Sequence, residues 1–303
     1  MPFSMSPPPL TIGVVTHQRA NLLASLLAKL TLAIEHYPGE CQVIVANNSG
    51  ELFNVQVEAV IDASNIRQVA SATVIASSCN NISVGRNLIL DHATDDLVVF
   101  IDDDEYPSLE WLSHLTQQMN VSDCAIVAGP IIPVFPTGTK PWISCVDIHN
   151  IGTLQSGDTV AHVATGNCLI NTLKINYLRF DESYGISGGE DTLFFTKLAE
   201  YGEFICWSTQ ATVFETIPES RSTSRYMINR FIQQGQTFRK IVISNNSVPV
   251  QIYLLGKACG YALFGIVVGT LIMPFNGKLC AWLLKRGYTN LGKLTWSRSS
   301  LYG

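Results

Sequence analysis

The last 84 residues of this 303-residue chain contain no aspartate and no glutamate. All 24 acidic residues lie at or before Glu219, whereas 11 of the 19 basic residues follow it. The first 219 residues therefore carry 8 basic and 24 acidic side chains, a net charge of −16, and the remainder carries +11. This division predicts two regions in different electrostatic surroundings, and the basic one should face an anionic partner such as phospholipid or a phosphorylated substrate.

Other absences narrow the class of protein. The basic region has no recognisable nucleic-acid-binding motif and is too apolar for a solvated arm, so we expect no nucleic-acid partner. None of the eight cysteines forms a Cys-x-x-Cys pair or a His-Cys cluster at zinc spacing, which argues against a zinc site and a disulfide framework. The cysteines are expected to be buried thiols of a reducing cytoplasm.

The N-terminal stretch MPFSMSPPPL lacks the basic stretch and long apolar core of a secretory signal. We therefore expect the catalytic region to face the cytosol. Residues 1–9 are predicted to form a flexible leader, stiffened locally by three consecutive prolines.

Short apolar runs alternate with helical patterns along the first half of the chain. Such alternation predicts an α/β fold with a mainly parallel, doubly wound sheet. The predicted strands lie at 10–15, 41–45, 73–76, 97–101, 125–134 and 160–171, and the predicted helices begin near Asn21, Ser83 and Glu190.

Four adjacent carboxylates, Asp102 to Glu105, follow the apolar run VVFI. Burying an uncompensated carboxylate is costly, so the cluster must be solvated, paired or neutralised by a cation. Ligands of open parallel sheets bind beyond the carboxyl ends of the strands, so Thr16, Asn47 and the acidic cluster should meet at one crevice.

Two chemical interpretations of this cluster remain open. Two aspartates one residue apart can bind one divalent cation, whose other ligands would be substrate phosphates. Alternatively, the stretch is an acidic turn before a helix that begins near Pro107.

The order of the motifs resembles that of family 2 glycosyltransferases, which have the nucleotide-diphospho-sugar transferase fold of GT-A type. The resemblance covers residues 10–240, which we take as the catalytic domain. It depends on Thr16 after the first strand, the Asn-Ser turn after the second, Gly85-Arg86-Asn87, the Asp-x-Asp of FIDDDE, Gly166-Asn167 and Gly-Gly-Glu-Asp at 188–191.

The resemblance implies separate roles for the carboxylates. Asp102 and Asp104 would hold Mn²⁺ or Mg²⁺ at the donor diphosphate, with Asp104 the more direct ligand. Asp191 would be the general base of an inverting transfer, and Glu190 would bind the acceptor hydroxyl. The implied donor-binding residues are Thr16, Asn47, Arg86, Asp102, Asp103, Gly166 and Asn167.

Some residues depart from the family pattern. The turn after the second strand has Asn47 where members commonly carry aspartate, and an amide can donate as well as accept. Glu215 stands where many members have histidine. The segment from Arg230 to Gly235 replaces the Gln-x-x-Arg-Trp of processive members, which predicts transfer of one sugar rather than polymerisation.

The basic region contains one long apolar run. Residues 258–275 are 18 residues without a charge, bordered by Lys257 and Lys278, at the short limit for a transmembrane helix. A core helix is the alternative. The glycines of this run are common in membrane helices, and the following segment is basic and tryptophan-bearing, like an interfacial helix. Residues 241–303 are therefore predicted to be a helical, membrane-associating region.

These features predict an inverting, metal-dependent glycosyltransferase at the cytoplasmic face of a membrane. It would move one sugar from a nucleotide-diphospho-sugar to a hydroxyl of a lipid-linked or cell-surface glycan. One alternative is a sugar-nucleotide pyrophosphorylase, which needs a glycine-rich basic loop near residue 15, where the chain reads THQRAN. Another is a non-catalytic, membrane-tethered glycan-binding or scaffold protein, which would show no metal-dependent donor hydrolysis.

Overall fold

Strands and helices alternate in the computed structural model, which describes residues 7–77, 79–149 and 154–295; residues 1–6 of the predicted leader lie outside the described residues. The strands are β1 (Leu10–Thr16), β2 (Cys41–Asn47), β3 (Ser71–Ala76), β4 (Leu97–Asp102), β5 (Glu105–Pro107), β6 (Ile126–Ala128), β7 (Ile131–Val134), β8 (Thr159–Val160), β9 (Asn167–Asn171), β10 (Ile205–Trp207) and β11 (Val213–Thr216). The α-helices are α1 (Ala20–His36), α2 (Asn54–Ala63), α3 (Ile82–His92), α4 (Trp111–Val121), α5 (Pro141–Ser144), α6 (Glu190–Glu200), α7 (Ser224–Phe238), α8 (Val248–Ile272) and α9 (Gly277–Leu294).

The main sheet has the strand order β3-β2-β1-β4-β9-β6-β10-β8. Strands β1 to β4 pair in parallel with their neighbours within this group, whereas β9 is antiparallel to both β4 and β6. Their apolar side chains are buried in β1, β2 and β4, as expected for strands covered on both faces. The predicted α/β fold with a mainly parallel sheet is confirmed.

The register brings three strand ends to one edge of this sheet. Thr16 at the end of β1 pairs with Asn47 at the end of β2, and Val15 pairs with Asp102 at the end of β4. The side chains that follow these strands therefore lie beside one another, although they are far apart in sequence.

Two predicted strands were wrong in their bounds. The segment 125–134 is divided into β6 and β7 at Gly129 and Pro130, where a Cβ on Gly129 would lie 2.0 Å from the Ala211 carbonyl oxygen. The segment 160–171 contains the two-residue strand β8 and the longer β9. Glycine and proline interrupt strand pairing. A continuous apolar run in the sequence therefore does not show where a strand within it ends. Helix α2 and strand β5 were not predicted.

The chain divides into two compact units. The first comprises Met1–Ile132, Thr153–Ile186 and Leu193–Glu215, and the second comprises Pro133–Gly152, Ser187–Thr192 and Thr216–Gly303. The division predicted between a catalytic domain at 10–240 and a membrane-associating region at 241–303 stays a prediction.

The core of the first unit lies between its sheet and helices α1 and α4. One face of α1 is buried at helical spacing through Leu23, Leu26, Leu27 and Leu30. Helix α4 contributes Trp111, which is fully buried. Burial of these large apolar side chains is the main favourable term that fixes the sheet against the helices.

In the second unit, α9 packs against α5, α7 and α8. Close backbone approach occurs at glycines: a Cβ on Gly235 of α7 would lie 1.9 Å from the Thr289 carbonyl oxygen, and one on Gly265 of α8 would lie 2.7 Å from Gly287 Cα. Buried apolar side chains from α5, α7 and α9, including Ile143 and Phe231, form a separate core. Helix α9 is thus part of the folded core of this unit.

We expect Gly235→Ala to destabilise the second unit, because the added methyl group would overlap α9 and overpacking typically costs about 1–3 kcal/mol. Gly260→Ala on α8 is the matched control, since nothing lies within 4 Å of a Cβ there. Alanine is the better helix former by about 1 kcal/mol, so this variant should be as stable as the parent or more stable. Thermal unfolding of both variants checks the difference, and equal melting temperatures would contradict this packing.

Candidate active site

The hydroxyl of Thr16 meets the acidic cluster at the edge of the sheet. Thr16 Oγ1 donates a hydrogen bond to Asp103 Oδ2 at 2.8 Å, and the Asp103 side chain is only 4% exposed. The end of β1 is therefore joined to the turn that follows β4. The structure places Thr16 and Asp103 together, as predicted from the meeting of the strand ends at one edge of the sheet.

Arg19 places a positive charge beside the acidic cluster, and it was not among the predicted site residues. Its Nη1 lies 3.0 Å from Asp103 Oδ1 and 3.6 Å from Asp104 Oδ2. Burial raises the pKa of Asp103, and Arg19 and the hydrogen bond from Thr16 oppose that rise. Arg19 follows Gln18, whose φ of 52° turns the chain at the end of β1. A basic residue shortly after the first strand was the available signal.

Glu105 has a different environment from the three aspartates before it. It begins β5 and is buried, and its Oε2 accepts a hydrogen bond from the Asp102 backbone N–H at 3.0 Å. Strand β5 pairs antiparallel with β11 in a second sheet, and there Glu105 lies opposite Glu215, which is also buried. Burial, and then the charge of Asp102, raise the pKa of Glu105 well above its ordinary value. Glu105 therefore stabilises the backbone of the turn, and its buried carboxyl group is not accessible to a ligand.

Asp102 and Asp104 are the more accessible members of the cluster, with side chains 41% and 13% exposed. Asp102 Oδ1 lies 3.6 Å from Nη2 of Arg86, which is almost fully buried. The Arg86 guanidinium also lies over the Phe180 ring, 5.3 Å from its centroid. A buried cation thus adjoins the more exposed carboxylate, as expected where anionic groups converge.

Gly166 makes room for the carboxylates. A Cβ at this position would lie 2.7 Å from Glu105 Oε1 and 2.9 Å from Asp102 Oδ2. Any larger residue would push on two acidic side chains at once. The glycine is thus a steric requirement of the acidic turn.

Asn167 and Asn47 use their side chains to hold the surrounding loops. Asn167 Oδ1 accepts from Trp111 Nε1 at 2.7 Å, and its Nδ2 donates to the carbonyl oxygens of Pro130 and Ala211. Asn47 Oδ1 accepts from the Ser49 N–H, while its Nδ2 donates to the Gly50 carbonyl and to Asn54. Their contact with a donor stays a prediction.

The Gly85-Arg86-Asn87 motif fixes the segment that carries Phe180. Asn87 donates to the Phe180 carbonyl oxygen at 2.9 Å and accepts from the Phe180 N–H at 2.8 Å, and it was not among the predicted site residues. Ser83 Oγ donates to the Asp181 carbonyl at 3.0 Å. Helix α3 therefore positions the aromatic ring beneath Arg86.

Glu190 and Asp191 form the first turn of α6, as predicted, and belong to the residues Ser187–Thr192 of the second unit. Glu190 is buried and Asp191 is partly exposed. Within the first unit, Phe194 of the same helix stacks on Phe180 with 4.3 Å between ring centroids.

A mainly parallel sheet with carboxylates beyond its strand ends is the arrangement expected of a GT-A-type glycosyltransferase. The sequence model of glycosyl transferase family 2 matches residues 11–179, and the chain belongs to this family. It is 30% identical over 233 residues to the succinoglycan biosynthesis protein ExoM of Rhizobium meliloti (strain 1021), covering 76% of this chain and 74% of that protein. The predicted family and enzyme class are confirmed.

Solved structures show the same fold. The mannosyltransferase PcManGT from Pyrobaculum calidifontis, in complex with GDP-Man and Mn²⁺, has a TM-score of 0.64 at 16% identity, covering 97% of this chain and 90% of that one. TarS 1-349 of S. aureus, in complex with UDP-GlcNAc, has a TM-score of 0.52 at 16% identity, covering 96% of this chain and 93% of that one. At this identity the similarity establishes the fold.

The buried acid at Glu105 predicts a particular dependence of stability on pH. Because its pKa is raised in the folded state, the folded protein holds a proton that the unfolded chain releases, so stability falls as pH rises above the unfolded value of about 4.3. Glu105→Gln removes this titration and keeps an oxygen that can accept from the Asp102 N–H.

We therefore expect the free energy of unfolding of Glu105→Gln to fall less steeply between pH 4.5 and 7 than that of the parent protein. The difference in slope should be ~1.4 kcal/mol for each pH unit below the folded pKa of Glu105. Urea unfolding at several pH values measures this slope. Glu40→Gln at an exposed position should keep the parent slope, and a parent-like slope in Glu105→Gln would show that Glu105 is ionised in the folded protein.

Proposed function

We propose that this glycosyltransferase moves one sugar, with inversion, from a nucleotide-diphospho-sugar to a hydroxyl of a lipid-linked or cell-surface glycan. The observation that carries the proposal is the unequal burial of the acidic cluster. Asp103 and Glu105 are buried, while Asp102 and Asp104 keep partly open oxygens at the end of a rigid strand. The name of the relative ExoM, a succinoglycan biosynthesis protein, supports a polysaccharide acceptor.

Asp102 and Asp104 suit a divalent cation that shares its coordination with the donor. Among the residues that the structure describes, no group of three or more His, Cys, Asp or Glu could hold a metal ion. Mg²⁺ and Mn²⁺ accept one or two carboxylates when waters and substrate phosphates complete the shell, so the two aspartates fit. When bound, the cation would offset the charge that develops on the leaving diphosphate. The Mn²⁺ in PcManGT supports this assignment.

Some side chains around the two aspartates are proposed to contact the donor, and others hold neighbouring residues in place. Arg86 presents a buried guanidinium at Asp102, and Gly166 keeps the backbone close to the carboxylates, so both suit an anionic donor. Thr16 and Arg19 hold Asp103, whose proposed contact is with the donor ribose or sugar. Asn47 and Asn167 would act by holding the loops that line the donor site.

Asp191 is the proposed general base, and Glu190 the proposed acceptor-binding residue. A general base must lie where the acceptor hydroxyl can reach it, and Asp191 is a partly exposed carboxylate in the first turn of α6. Buried Glu190 precedes it and can fix the hydroxyl by hydrogen bonding. Because the cation serves the leaving group, the nucleophile needs this separate carboxylate.

The proposed location is the cytoplasmic face of a membrane. Within the described ranges, α8 alone is long and apolar enough to cross a bilayer. The acid-free region from Arg221 onward is attracted to anionic lipid. Family membership favours sugar transfer over the pyrophosphorylase alternative. The partly exposed carboxylates of Asp102 and Asp104 favour an active enzyme over the non-catalytic scaffold alternative.

Asp104→Asn should abolish turnover and weaken Mn²⁺-dependent donor binding, because a hard cation loses an anionic ligand. The measurement is release of nucleoside diphosphate from a panel of UDP- and GDP-sugars, together with donor titrations with and without Mn²⁺. Asp96→Asn, at an exposed position before β4, is the matched control and should behave like the parent. Unchanged metal-dependent binding in Asp104→Asn would refute the metal assignment.

Asp191→Asn should leave donor affinity nearly unchanged and lower kcat by roughly 100-fold or more, the usual scale for loss of a general base. Donor binding by titration and transfer rates at saturating donor separate the two effects. Glu200→Gln at the other end of α6 controls for changes to the helix itself. Equal losses of donor binding and rate would instead assign Asp191 a structural role.

A further inference from the structure

Helix α8 is covered on one side only. Its buried residues, Ala258, Ala262, Gly265 and Gly269, form one stripe along the helix. The opposite side carries large apolar side chains that are exposed. These are Ile252 (67% exposed), Leu263 (70%), Val267 (49%) and Leu271 (70%). A continuous apolar face of this length marks an interaction surface.

The helix that covers the buried stripe is the basic helix α9. Gly265 approaches Gly287, and Gly269 approaches Leu284, so α9 runs back along α8. The Arg286 guanidinium lies 4.5 Å from the centroid of the Tyr261 ring, at the middle of α8. A positive charge is therefore fixed beside the midpoint of the apolar helix.

This pairing opposes a transmembrane path for α8. A 25-residue helix crossing the bilayer would place its middle, Tyr261, near the centre of the hydrocarbon, and Arg286 with it. A charged side chain at that depth is costly. Helix α9 cannot follow α8 into the bilayer, because its other side packs on α7, where a Cβ on Gly292 would lie 2.1 Å from the Ile232 carbonyl oxygen.

The groups beside the apolar face match an anionic lipid surface. Lys257, Lys278 and Arg286 are exposed, and Trp282, which is 54% exposed, lies 5.3 Å from the Arg286 guanidinium. No acidic residue lies between Arg221 and the C-terminus to oppose a negative surface. Basic side chains and tryptophan are the groups found at the level of lipid headgroups.

We propose that α8 lies in the plane of an anionic phospholipid bilayer, with its exposed apolar face in the interfacial layer, and that neither α8 nor α9 spans the membrane. The inference deepens the proposed membrane location and rests on it. Lys257, Lys278 and Arg286 contact headgroup phosphates, while α9 stays attached to the core of the second unit. Residues 258–275 are then neither a core helix nor a transmembrane helix: one face of the helix packs on α9 and the other contacts the bilayer.

Depth measurements on the full-length protein test the orientation. A single fluorescent label is placed at Ile252→Cys, Leu263→Cys or Leu271→Cys, with the exposed Cys79 and Cys259 and the partly exposed Cys145 changed to serine. The outer two positions are about 28 Å apart along a helix axis. On vesicles of phosphatidylglycerol and phosphatidylcholine, quenching by lipids brominated at different depths should give the same shallow depth at all three. A label that is deepest at residue 263, with 252 and 271 near opposite leaflets, would overturn the proposal.

Sedimentation with the same vesicles tests the contact surface. Leu263→Asp combined with Leu271→Asp should weaken binding by about tenfold or more, since two exposed leucines that would enter the lipid layer are replaced by anions at an anionic surface. Leu52→Asp, at a 95% exposed position of the first unit, should bind like the parent. Equal binding by the double variant and the parent would overturn the proposal.

Donor hydrolysis without vesicles separates this inference from the proposed function. The double variant should release nucleoside diphosphate at the parent rate, because the substitutions lie outside the proposed donor site. A parent protein that hydrolyses donor but does not bind vesicles would refute the membrane contact alone. A parent protein that binds vesicles but hydrolyses no donor would refute the proposed chemistry and leave the membrane contact supported.

Discussion

The pairing of Asp103 with Thr16 and Arg19 is the interaction on which the candidate site depends. It joins the loop after β1 to the turn after β4 and places one buried carboxylate where its charge is matched. Removing Arg19 would be costly because the Asp103 carboxylate would stay buried without its partner. The turn can therefore hold its shape while the aspartates on either side of Asp103 stay partly exposed.

The same turn shows how a run of identical charges can serve different purposes. Glu105 is buried and holds the Asp102 backbone from beneath, whereas Asp102 reaches Arg86 and solvent. Arg86 is in turn set by Phe180, and Phe180 is held by the paired hydrogen bonds of Asn87. Glu105, Phe180 and Asn87 thus determine where the aspartates of the candidate site stand.

Sequence patterns predicted the parts of this fold that depend on local order. The strand before Asp102 is a continuous apolar run, and open parallel sheets bind ligands beyond the carboxyl ends of such strands. The location of the candidate site could therefore be predicted from the sequence. Arg19 escaped because its partners are 84 positions away and meet it only through the turn at Gln18. The burial of Glu105 depends on its pairing with Glu215, a register that no periodicity reveals. Asn87 was part of the Gly85-Arg86-Asn87 motif, but its hydrogen bonds to Phe180, 93 positions away, could not be predicted from the sequence.

The region after Glu219 lacks histidine as well as aspartate and glutamate. It therefore has no imidazole, the side chain whose ordinary pKa places a charge change between pH 5 and 8. Attachment through this region would respond instead to the lipids in the membrane and to dissolved salt, since both act on a fixed charge. A bilayer enriched in anionic lipid would concentrate the enzyme locally, and lipid composition would then determine where sugar transfer occurs.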